Sequence, residues 1–495
     1  MKRTINIYDE ARRCLLCADA PCSRACKNGD PARAIRAIRF DNEKLAGQWV
    51  AACNEEDLLA AEEACIHYDR PIRIREILKE LPETDGQGAD HAHSKPLPSL
   101  EIEFCGFTCE NPFFLASSAV CTNYEMVARA FEAGWAGVFY KTICMEEIRE
   151  VSPRFDAVSN GKTTDFFGFR NMEQLSENPV AMDFDILHRL KENYPTKMVV
   201  ASIMGKTAEQ WIELAKMSEA AGVDAVELNF SCPQMRLAGM GSDVGQDAEL
   251  VTFYTAYVKR NVNIPVIPKM TPNITRINQP AMGAYFAGAN AISAINTIKS
   301  VTMGERAAVS EYKTISGYSG RAVKPIALRH ILEMSKNEIM KNVQFSGVGG
   351  IETWRDALEF IQLGCRNVQV CTAVMQYGYR IIDDLILGLR NYMQERGISQ
   401  LADLVGEELP RFTTPTDLDR ETIVFPKIDR ERCIGCGRCY TSCMDGGHQA
   451  ITFGEDRQPH IQGKRCVGCH LCRLVCPTGA IGTSKRVGKP EWKPA

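Results

Sequence analysis

Short apolar runs alternate with amphipathic helical segments through the middle of the chain. In four places, EAGWAGVFYK, EAAGVDAVELN, FAGANAISAIN and QLGCRNVQV, a helical pattern stops at a glycine and an apolar run follows. Glycine suits this position because the residue after a helix often adopts a positive φ. Together with FFLASS, MVVASI, IPVIPK and VQFSG, these runs predict eight strands: 113 to 118, 136 to 141, 198 to 203, 224 to 229, 264 to 269, 290 to 295, 343 to 347 and 366 to 370.

Eight alternating β and α units predict an α/β fold, a (β/α)8 TIM barrel. Parallel strands that are buried on both faces are typically continuous apolar runs, as they are here. Amphipathic segments such as AEQWIELAKMSEA and TWRDALEFIQL provide helices between the strands. A doubly wound open sheet is the alternative, and it is less favoured because such sheets more often have fewer strands.

Two polar, turn-rich segments divide the chain into three blocks. They are ETDGQGADHAHSKPLPS, residues 83 to 99, and GEELPRFTTPTDLD, residues 406 to 419. Cysteines crowd the blocks at both ends. We therefore predict domain boundaries near residues 98 and 420, with a first block and its linker over 1 to 98, the barrel over 99 to 419, and a third block over 420 to 495. The cysteine spacing of the third block predicts a ferredoxin-like domain, and a family resemblance implies a small α-helical domain in the first.

Composition and charge restrict the function. The 495 residues are 45% hydrophobic and 24% charged, with a formal net charge of -4, so nothing indicates a nucleic-acid or anionic-membrane partner. The charged N-terminus has no apolar signal region, and no run approaches the roughly 18 apolar residues of a membrane span. We expect a cytoplasmic protein, where most of the 21 cysteines serve as ligands or catalysts rather than in disulfides.

The carboxyl ends of the predicted strands form the candidate active site, because TIM barrels carry their chemistry there. The small and polar residues at these ends are Ser117, Ser118, Lys141, Asn229, Ser231, Cys232, Lys269, Asn296, Thr297, Gly349, Gly350, Cys371 and Thr372. Any single serine or asparagine could equally cap a helix or close a loop. Two lysines are harder to explain in that way, since a buried ammonium is costly without an anionic partner.

The seventh and eighth strands predict a phosphate site. In this fold the loops after these strands, with a helix N-terminus, often bind phosphate. Gly349 and Gly350 allow close backbone approach, and the amides near Cys371 and Thr372 can point at an anion. The alternative is that these glycines only form a tight turn. No G-x-G-x-x-G follows a predicted strand, so we expect no Rossmann domain.

The C-terminal cysteines give the most specific pattern. CIGCGRCYTSC and CVGCHLCRLVCP both have the C-x-x-C-x-x-C-x-x-x-C spacing that binds two [4Fe-4S] clusters, with the fourth cysteine of each run crossing to the other cluster. Zinc is the less favoured alternative, since its common motifs are paired C-x-x-C. The predicted ligand sets are Cys433, Cys436, Cys439 with Cys476, and Cys466, Cys469, Cys472 with Cys443.

The N-terminal cysteine run, from Cys14 through Cys17 and Cys22 to Cys26, is less typical. It indicates a cluster or metal site whose fourth ligand is Cys26, Cys53 or Cys65. The spacing alone does not choose among them.

Several motifs together resemble a known family. ELNFSCP, PKMTPN, AINT, SGYSGRAVKPIALR, SGVGGIETW and QVCTAVMQYGYR resemble the barrels of dihydroorotate and dihydropyrimidine dehydrogenases. With the two trailing cluster motifs, residues 100 to 495 resemble the catalytic subunits of bacterial NAD-dependent dihydropyrimidine dehydrogenases. The resemblance implies FMN in the barrel mouth and uracil or thymine stacked on it.

The resemblance also implies residue roles. Cys232 matches the active-site cysteine of the family. The implied cofactor-binding residues are Ser117, Ser118, Lys141, Lys269, Gly320, Gly349, Gly350, Cys371 and Thr372. The implied substrate-binding residues are Asn171, Asn229, Ser231, Asn296 and Thr297.

Residues 1 to about 80 resemble the helical iron-sulfur domain that opens the partner subunit of the same enzyme, most clearly in RCLLCADAPCSRAC. This implies one [4Fe-4S] cluster on Cys14, Cys17, Cys22 and Cys65. Glu55, Ala61 and Leu78 stand where other ligands of that domain would be, so a second cluster is expected to be lost, leaving Cys26 without a role. The FAD and NAD domains that normally follow are missing.

The implied function is the interconversion of uracil or thymine with the 5,6-dihydro forms, with electrons exchanged through the clusters with a separate subunit that binds FAD and NAD(H). A homodimer within a heterotetramer is expected. Reduction of the C5=C6 bond needs a hydride at one carbon and a proton at the other, and the Cys232 thiol is suited to supply the proton. The alternatives are another cyclic ureide substrate, such as dihydroorotate, and a non-catalytic electron carrier.

Overall fold

The computed structural model describes residues 6–81, 97–159, 166–233, 235, 239–303 and 314–489. Most of the predicted linker, 83 to 99, lies outside these residues, as do Gln234 and residues 236–238 of the loop after Cys232. The chain forms two compact units, Met1–Leu409 and Pro410–Ala495. Among the described residues, no helix combines the length and apolarity that crossing a bilayer requires.

Eight parallel strands close into a barrel in the first unit, which confirms the predicted fold class. Each strand pairs with the next along the chain, and the last pairs with the first where Val368 lies opposite Phe113. Almost every strand residue is buried, which explains the continuous apolar runs in the sequence. The strands are β1 Phe113–Leu115, β2 Gly137–Phe139, β3 Met198–Ile203, β4 Ala225–Asn229, β5 Val266–Lys269, β6 Ala291–Ala294, β7 Gln344–Val348 and β8 Cys365–Val370.

Helices between the strands cover the barrel. Gly134 and Gly364 follow two of these helices with φ of 113° and 106°, a conformation open to glycine, and each leads directly into the next strand. The helix before Gly364 is also capped at its start, where Thr353 forms a capping box with Asp356. The helices of this region are Tyr124–Ala133, Val180–Asn193, Ala208–Ala220, Ser242–Gly245, Ala248–Lys259, Asn278–Phe286, Lys324–Ser335, Trp354–Gln362, Thr372–Tyr377 and Ile381–Arg396.

Two further sheets lie outside the closed barrel. The hairpin Ile102–Phe104 and Phe107–Cys109 precedes β1, and the Cys105 amide donates to the Gln344 side chain at the start of β7. A four-stranded antiparallel sheet combines insertions after β2 and after β6, which the sequence did not predict. Its strands are Phe155–Ser159, Phe166–Asn171, Ile298–Ser300 and Ser316–Ser319.

The N-terminal block, residues 6–81, consists of short helices around a small apolar core. That core includes Ala34, Ile35, Ile38 and Ile77, all with at most 1% exposure. The helices are Ile7–Arg13, Pro21–Ala25, Pro31–Arg39, Glu43–Ala46, Glu55–Glu63 and Ile74–Lys79.

The N-terminal block packs against the barrel within the same unit. The Arg36 guanidinium lies 2.7 Å from the Asp384 carboxylate, and both side chains are largely buried.

Besides ion pairs such as that of Lys44 with Glu395, several contacts of the block with the barrel join a side chain to a main-chain carbonyl. The Arg380 guanidinium donates to the carbonyls of Leu16 and Cys17. The Trp354 indole donates to the Asp41 carbonyl at 3.0 Å, and the Asn42 side chain donates to that of Asp384 at 2.8 Å. The docking therefore combines a buried ion pair with hydrogen bonds to the backbone.

The C-terminal unit, residues 410–489, has little regular structure. Its strands pair as three small ribbons: Thr422–Ile423 with Val487–Gly488, Pro426–Ile428 with Ile481–Thr483, and Ile451–Phe453 with Pro459–Ile461. The two helices, Arg438–Gly446 and Leu471–Leu474, each begin inside a cysteine motif. Three of its six core residues are cysteines: Cys439, Cys443, Cys472, Ala450, Ile451 and Ile481.

Candidate active site

A cavity of about 1160 Å³ opens at the carboxyl ends of the strands. Fourteen of the fifteen predicted catalytic, cofactor and substrate residues line it, and Ser231 does not. The lining residues from that prediction are Ser117, Ser118, Lys141, Asn171, Asn229, Cys232, Lys269, Asn296, Thr297, Gly320, Gly349, Gly350, Cys371 and Thr372.

Both predicted lysines are buried at the cavity wall, and each has a carboxylate partner that the sequence analysis missed. Lys141 follows β2, and its ammonium lies 3.2 Å from the carboxylate of Glu173. Lys269 ends β5, and its ammonium lies 3.4 Å from that of Glu227. These partners balance the charge that made the lysines costly to bury. An ammonium carries three donors, so each lysine retains capacity for a cofactor atom.

A buried polar network leads from Glu227 across the strand ends. Ser202 donates to the Glu227 carboxylate, Thr142 and Ser202 share a hydrogen bond, and so do Ser117 and Thr142, each at 2.9 Å. The second Glu227 oxygen is buried without a hydrogen-bond partner among the described residues. Glu227 precedes Asn229 by two positions in β4, so strand periodicity, which puts both on one face, was the signal for it.

The amides of Asn229 and Asn296 are oriented by neighbouring groups. The Asn229 side-chain oxygen accepts from the Ser231 hydroxyl at 2.8 Å and from the Asn296 amide at 3.3 Å. The Asn229 amide nitrogen donates to Thr142 at 2.9 Å. Ser231 is fully buried and also accepts from Asn296 at 2.9 Å. Ser231 therefore orients the two asparagines from behind the cavity wall.

Cys232 lines the cavity directly after β4 with 6% exposure. Its carbonyl accepts from the Ser242 amide at 2.9 Å, which ties it to the short helix Ser242–Gly245. Gly241 packs against the same carbonyl with φ of 60°, and a Cβ on it would lie only 2.4 Å from that oxygen. A larger residue than glycine at 241 would therefore displace Cys232.

A glycine-rich cradle, formed by Gly349 and Gly350 after β7, lies where the sequence predicted a phosphate site. Gly349 and Gly350 have φ of 127° and 75°, and a Cβ on Gly350 would lie 2.7 Å from the Lys324 amide nitrogen. Thr372 begins a short helix, and its hydroxyl lies 3.1 Å from that of Ser319. Burial raises the pKa of the Cys371 thiol, so this residue brings no negative charge to the cradle.

Arg321 and Glu352 also line the cavity and were not predicted. The two side chains lie 4.0 Å apart, and the Tyr377 hydroxyl donates to Glu352 at 2.7 Å. Burial raises the pKa of the Glu352 carboxyl. With the two lysine pairs, every lysine and arginine lining the described part of the cavity has a carboxylate within 4.0 Å.

Aromatic side chains from the four-stranded sheet form one wall of the cavity. Phe155, Phe166 and Phe169 line it, with ring centroids 5.3 to 5.8 Å apart in successive contacts, and Tyr318 joins them. Flat apolar faces beside a few polar groups are typical of sites for planar ring compounds. Sequence reasoning missed this wall because its strands belong to insertions outside the β/α rhythm.

The cavity fits FMN on three grounds. Its mouth is lined by planar aromatic side chains, Gly349, Gly350 and Thr372 bring backbone amides to its wall, and the buried ammonium groups of Lys141 and Lys269 lie at the same wall.

The cysteines at the chain ends gather around separate small cavities. In the N-terminal block, Cys14, Cys17, Cys22 and Cys65 line one cavity. In the C-terminal unit, Cys433, Cys436, Cys439 and Cys476 line one cavity, and Cys443, Cys466, Cys469 and Cys472 line another. The C-terminal groupings are those that the cysteine spacing predicted, and the N-terminal grouping is the one that the resemblance implied; their role as cluster ligands remains a prediction.

Comparison with known proteins agrees with this architecture. Residues 99–393 match the model of the dihydroorotate dehydrogenase family, and residues 426–482 match a 4Fe-4S dicluster domain. The chain belongs to the dihydroorotate dehydrogenase family, joined here to an iron-sulfur domain. It is an oxidoreductase, and its family and cluster domain support FMN and iron-sulfur clusters as cofactors.

Individual relatives narrow the assignment and confirm the predicted resemblance. The chain is 49% identical over 389 residues to the NAD-dependent dihydropyrimidine dehydrogenase subunit PreA of Escherichia coli K12, covering 77% of this chain and 94% of PreA. It is 40% identical over 340 residues to the chloroplastic dihydropyrimidine dehydrogenase (NADP(+)) of Arabidopsis thaliana, covering 65% and 79%. The dihydroorotate dehydrogenase B (NAD(+)) catalytic subunit of Pyrococcus furiosus is 34% identical over 312 residues, covering 62% and 98%.

Proposed function

We propose that the chain is the catalytic subunit of an NAD-dependent dihydropyrimidine dehydrogenase that interconverts uracil or thymine with the 5,6-dihydro forms. The observation that carries the proposal is the meeting of Cys232 with the amides of Asn171, Asn229 and Asn296 around one cavity. The 49% identity to a subunit of that name supports it.

FMN is the proposed cofactor of this cavity, and when bound it exchanges a hydride with C6 of the pyrimidine. The residues proposed to hold it are Ser117, Ser118, Lys141, Lys269, Gly320, Gly349, Gly350, Cys371 and Thr372. The lysines would donate to the flavin ring, and the glycine cradle would hold the phosphate through backbone amides.

Neutral side chains would bind the pyrimidine. A ureide edge alternates donors and acceptors, and the carboxamides of Asn171, Asn229 and Asn296 offer both, with Thr297 beside them. Ser231 would hold two of these amides in orientation. Each cationic group of the described cavity wall already has a carboxylate partner, which favours a neutral ring over the carboxylate of orotate.

Cys232 would be the acid and base at C5. Its thiol would donate the proton during reduction and accept it during oxidation. The anchored carbonyl of Cys232 fixes the backbone from which the thiol reaches the substrate.

The N-terminal cavity and the two C-terminal cavities would each hold a [4Fe-4S] cluster, three in all. We propose that a partner subunit with FAD and NAD(H) supplies the electrons through these clusters, in an assembly that contains two copies of this chain. The word subunit in the name of the Escherichia coli relative supports a partner.

The test is uracil reduction by anaerobically purified protein with a low-potential dye as donor. The substitution Cys232→Ala should lower turnover by roughly 10²- to 10⁴-fold, the usual contribution of general acid catalysis, while flavin content and uracil binding persist. Cys144→Ala, a buried thiol away from the cavity, is the control. Near wild-type turnover by the Cys232 variant would disprove its role, and faster turnover of orotate than of uracil would favour a dihydroorotate dehydrogenase.

A further inference from the structure

Two cysteines of the N-terminal block lie outside its four-cysteine cavity. The Sγ atoms of Cys26 and Cys53 are 3.1 Å apart, although 27 positions separate the two residues in the chain. Neither lines the cavity of Cys14, Cys17 and their partners. The proposed function gives this pair no role.

A single buried carboxylate holds together the segments that carry the two thiols. Asp57, which is 6% exposed, accepts from the Asn28 side chain at 2.7 Å and from the Lys27 amide at 3.4 Å, both just after Cys26. The same carboxylate accepts from the amide of Asn54, the residue after Cys53, at 3.3 Å. Hydrogen bonds of Asp57, and not only the contact between the two sulfur atoms, therefore keep Cys26 and Cys53 close together.

Backbone packing brings the two segments still closer. A Cβ on Gly29 would lie 2.4 Å from the Cys53 sulfur and 2.6 Å from the Trp49 carbonyl. The Asp30 amide donates to the same Trp49 carbonyl at 2.8 Å. The Cys53 sulfur can lie where it does because residue 29 is a glycine and has no Cβ.

Apart from the Asp57 carboxylate, apolar side chains pack around the pair. Ala61 is fully buried in the same cluster as Cys26, and Leu78 and Cys53 pack against that cluster. Two thiols at close range, outside the group of four, are suited to bond with each other.

We propose that Cys26 and Cys53 form a reversible disulfide by exchange with a small-molecule disulfide such as oxidised glutathione. The more accessible Cys53 loses its proton to solvent, and its sulfur attacks glutathione disulfide, releasing one glutathione thiolate and leaving a mixed disulfide. Cys26, deprotonated in turn, attacks the Cys53 sulfur and releases the second glutathione thiolate. Two protein thiols are oxidised, and one glutathione disulfide is reduced to two glutathione molecules.

Burial, together with the hydrogen bond to Cys26, raises the pKa of Cys53 and so lowers its thiolate fraction. The crosslink would enclose the helix Pro31–Arg39, whose Ala32 and Ile35 line the neighbouring cluster cavity. Oxidation would fix one wall of that cavity in place.

The experiment uses the full-length protein, purified without air and equilibrated for hours in glutathione buffers of increasing oxidised fraction. Free thiols are then alkylated in denaturant and located by mass spectrometry. We expect two of the 21 cysteines to lose alkylation together, with a crosslinked peptide joining Cys26 to Cys53 and no loss of iron. The proposal would be overturned if Cys26 and Cys53 were both still alkylated after incubation with oxidised glutathione. It would also be overturned if a mixed disulfide formed but no crosslink followed.

Matched variants separate the pair from the rest of the chain. Cys53→Ser and Cys26→Ser should each abolish the crosslink while iron content stays at the wild-type value. Cys105→Ser, at a partly exposed cysteine of the barrel hairpin, should leave the crosslink unchanged. Gly29→Ala should slow crosslinking by moving the Cys53 sulfur. A fall of about four irons in Cys53→Ser would instead make the residue a cluster ligand and refute the disulfide.

Discussion

The two cysteine-rich ends of the chain use the same residue in different ways. In the C-terminal unit all eight cysteines divide into two complete groups of four. In the N-terminal block six cysteines give one group of four and one close pair. Regular spacing determines the groups at one end, whereas contacts between distant segments determine them at the other.

The two regions also differ in what keeps them folded. Half of the core residues of the C-terminal unit are cysteines. The core of the N-terminal block is mostly alanine and isoleucine, and the block also packs on the barrel. A cluster is thus expected to be part of the fold at the C-terminal end and an addition to it at the N-terminal end.

The largest expected effect concerns electron entry, which both regions are proposed to serve. The barrel cavity is proposed to hold FMN together with the pyrimidine, and the sequence has no dinucleotide fingerprint after a strand. We expect the purified chain to reduce uracil with a low-potential dye and to show no turnover with NADH. Addition of an FAD- and NAD-binding partner should restore NADH-dependent turnover. Robust activity from NADH and this chain alone would contradict a role for clusters at either end.

Removal of iron should destabilise the C-terminal unit more than the N-terminal block. After anaerobic chelation, we expect limited proteolysis to cut within residues 410–489, because the core there depends on cysteine ligands. The N-terminal block, residues 6–81, should remain protected by its own core and by the barrel. Peptide mapping by mass spectrometry gives the order of cleavage. Equal resistance of both regions to proteolysis after chelation would show that their folds do not differ in dependence on the clusters.

The number of irons per chain tests whether the N-terminal group of four cysteines binds a cluster while the pair of Cys26 and Cys53 does not. Three [4Fe-4S] clusters correspond to about twelve irons per chain, and Cys65→Ser should lower this to about eight. The matched substitution Cys53→Ser should leave about twelve, because Cys53 lies outside the cavity. About eight irons in the unmodified protein would mean that the N-terminal cavity carries no cluster, and about sixteen would mean that it carries two.

The smallest expected effect is on the docking of the N-terminal block. Asp384→Asn removes the charge opposite Arg36, while Asp383, 3.8 Å from the same guanidinium, remains. We expect a loss of about 1–2 kcal/mol in the free energy of unfolding, measured with denaturant, and unchanged iron content. The same substitution in the exposed pair of Asp185 with Arg189 should cost less than about 1 kcal/mol. Equal effects would show that burial adds nothing to the docking contact.

The barrel could be predicted because its strands are buried on both faces and therefore appear as apolar runs. Strands at all eight predicted places, and a left-handed glycine before β2 and before β8, follow from that local signal. Most candidate residues were found because strand ends of a barrel meet at one opening. Their roles toward cofactor and substrate remain predictions.

The remaining features depend on contacts between distant parts of the chain. Glu173 pairs with Lys141 from an inserted segment, and no periodicity marks it. Tyr318, from the insertion after β6, joins Phe155 and Phe169, from the insertion after β2, at one cavity wall. The grouping of Cys65 with Cys14 and the pairing of Cys26 with Cys53 likewise need the folded N-terminal block.

The hydrogen bonds to main-chain carbonyls have a consequence for how a fused domain can evolve. Arg380 contacts the carbonyls of Leu16 and Cys17, and Trp354 contacts that of Asp41. Every amino acid has a carbonyl, so these acceptors do not depend on the side chains at positions 16, 17 and 41. The contacts of Arg36 and Asn42 do depend on their side chains, so selection for attachment to the enzyme should concentrate on such positions rather than on the whole contact surface.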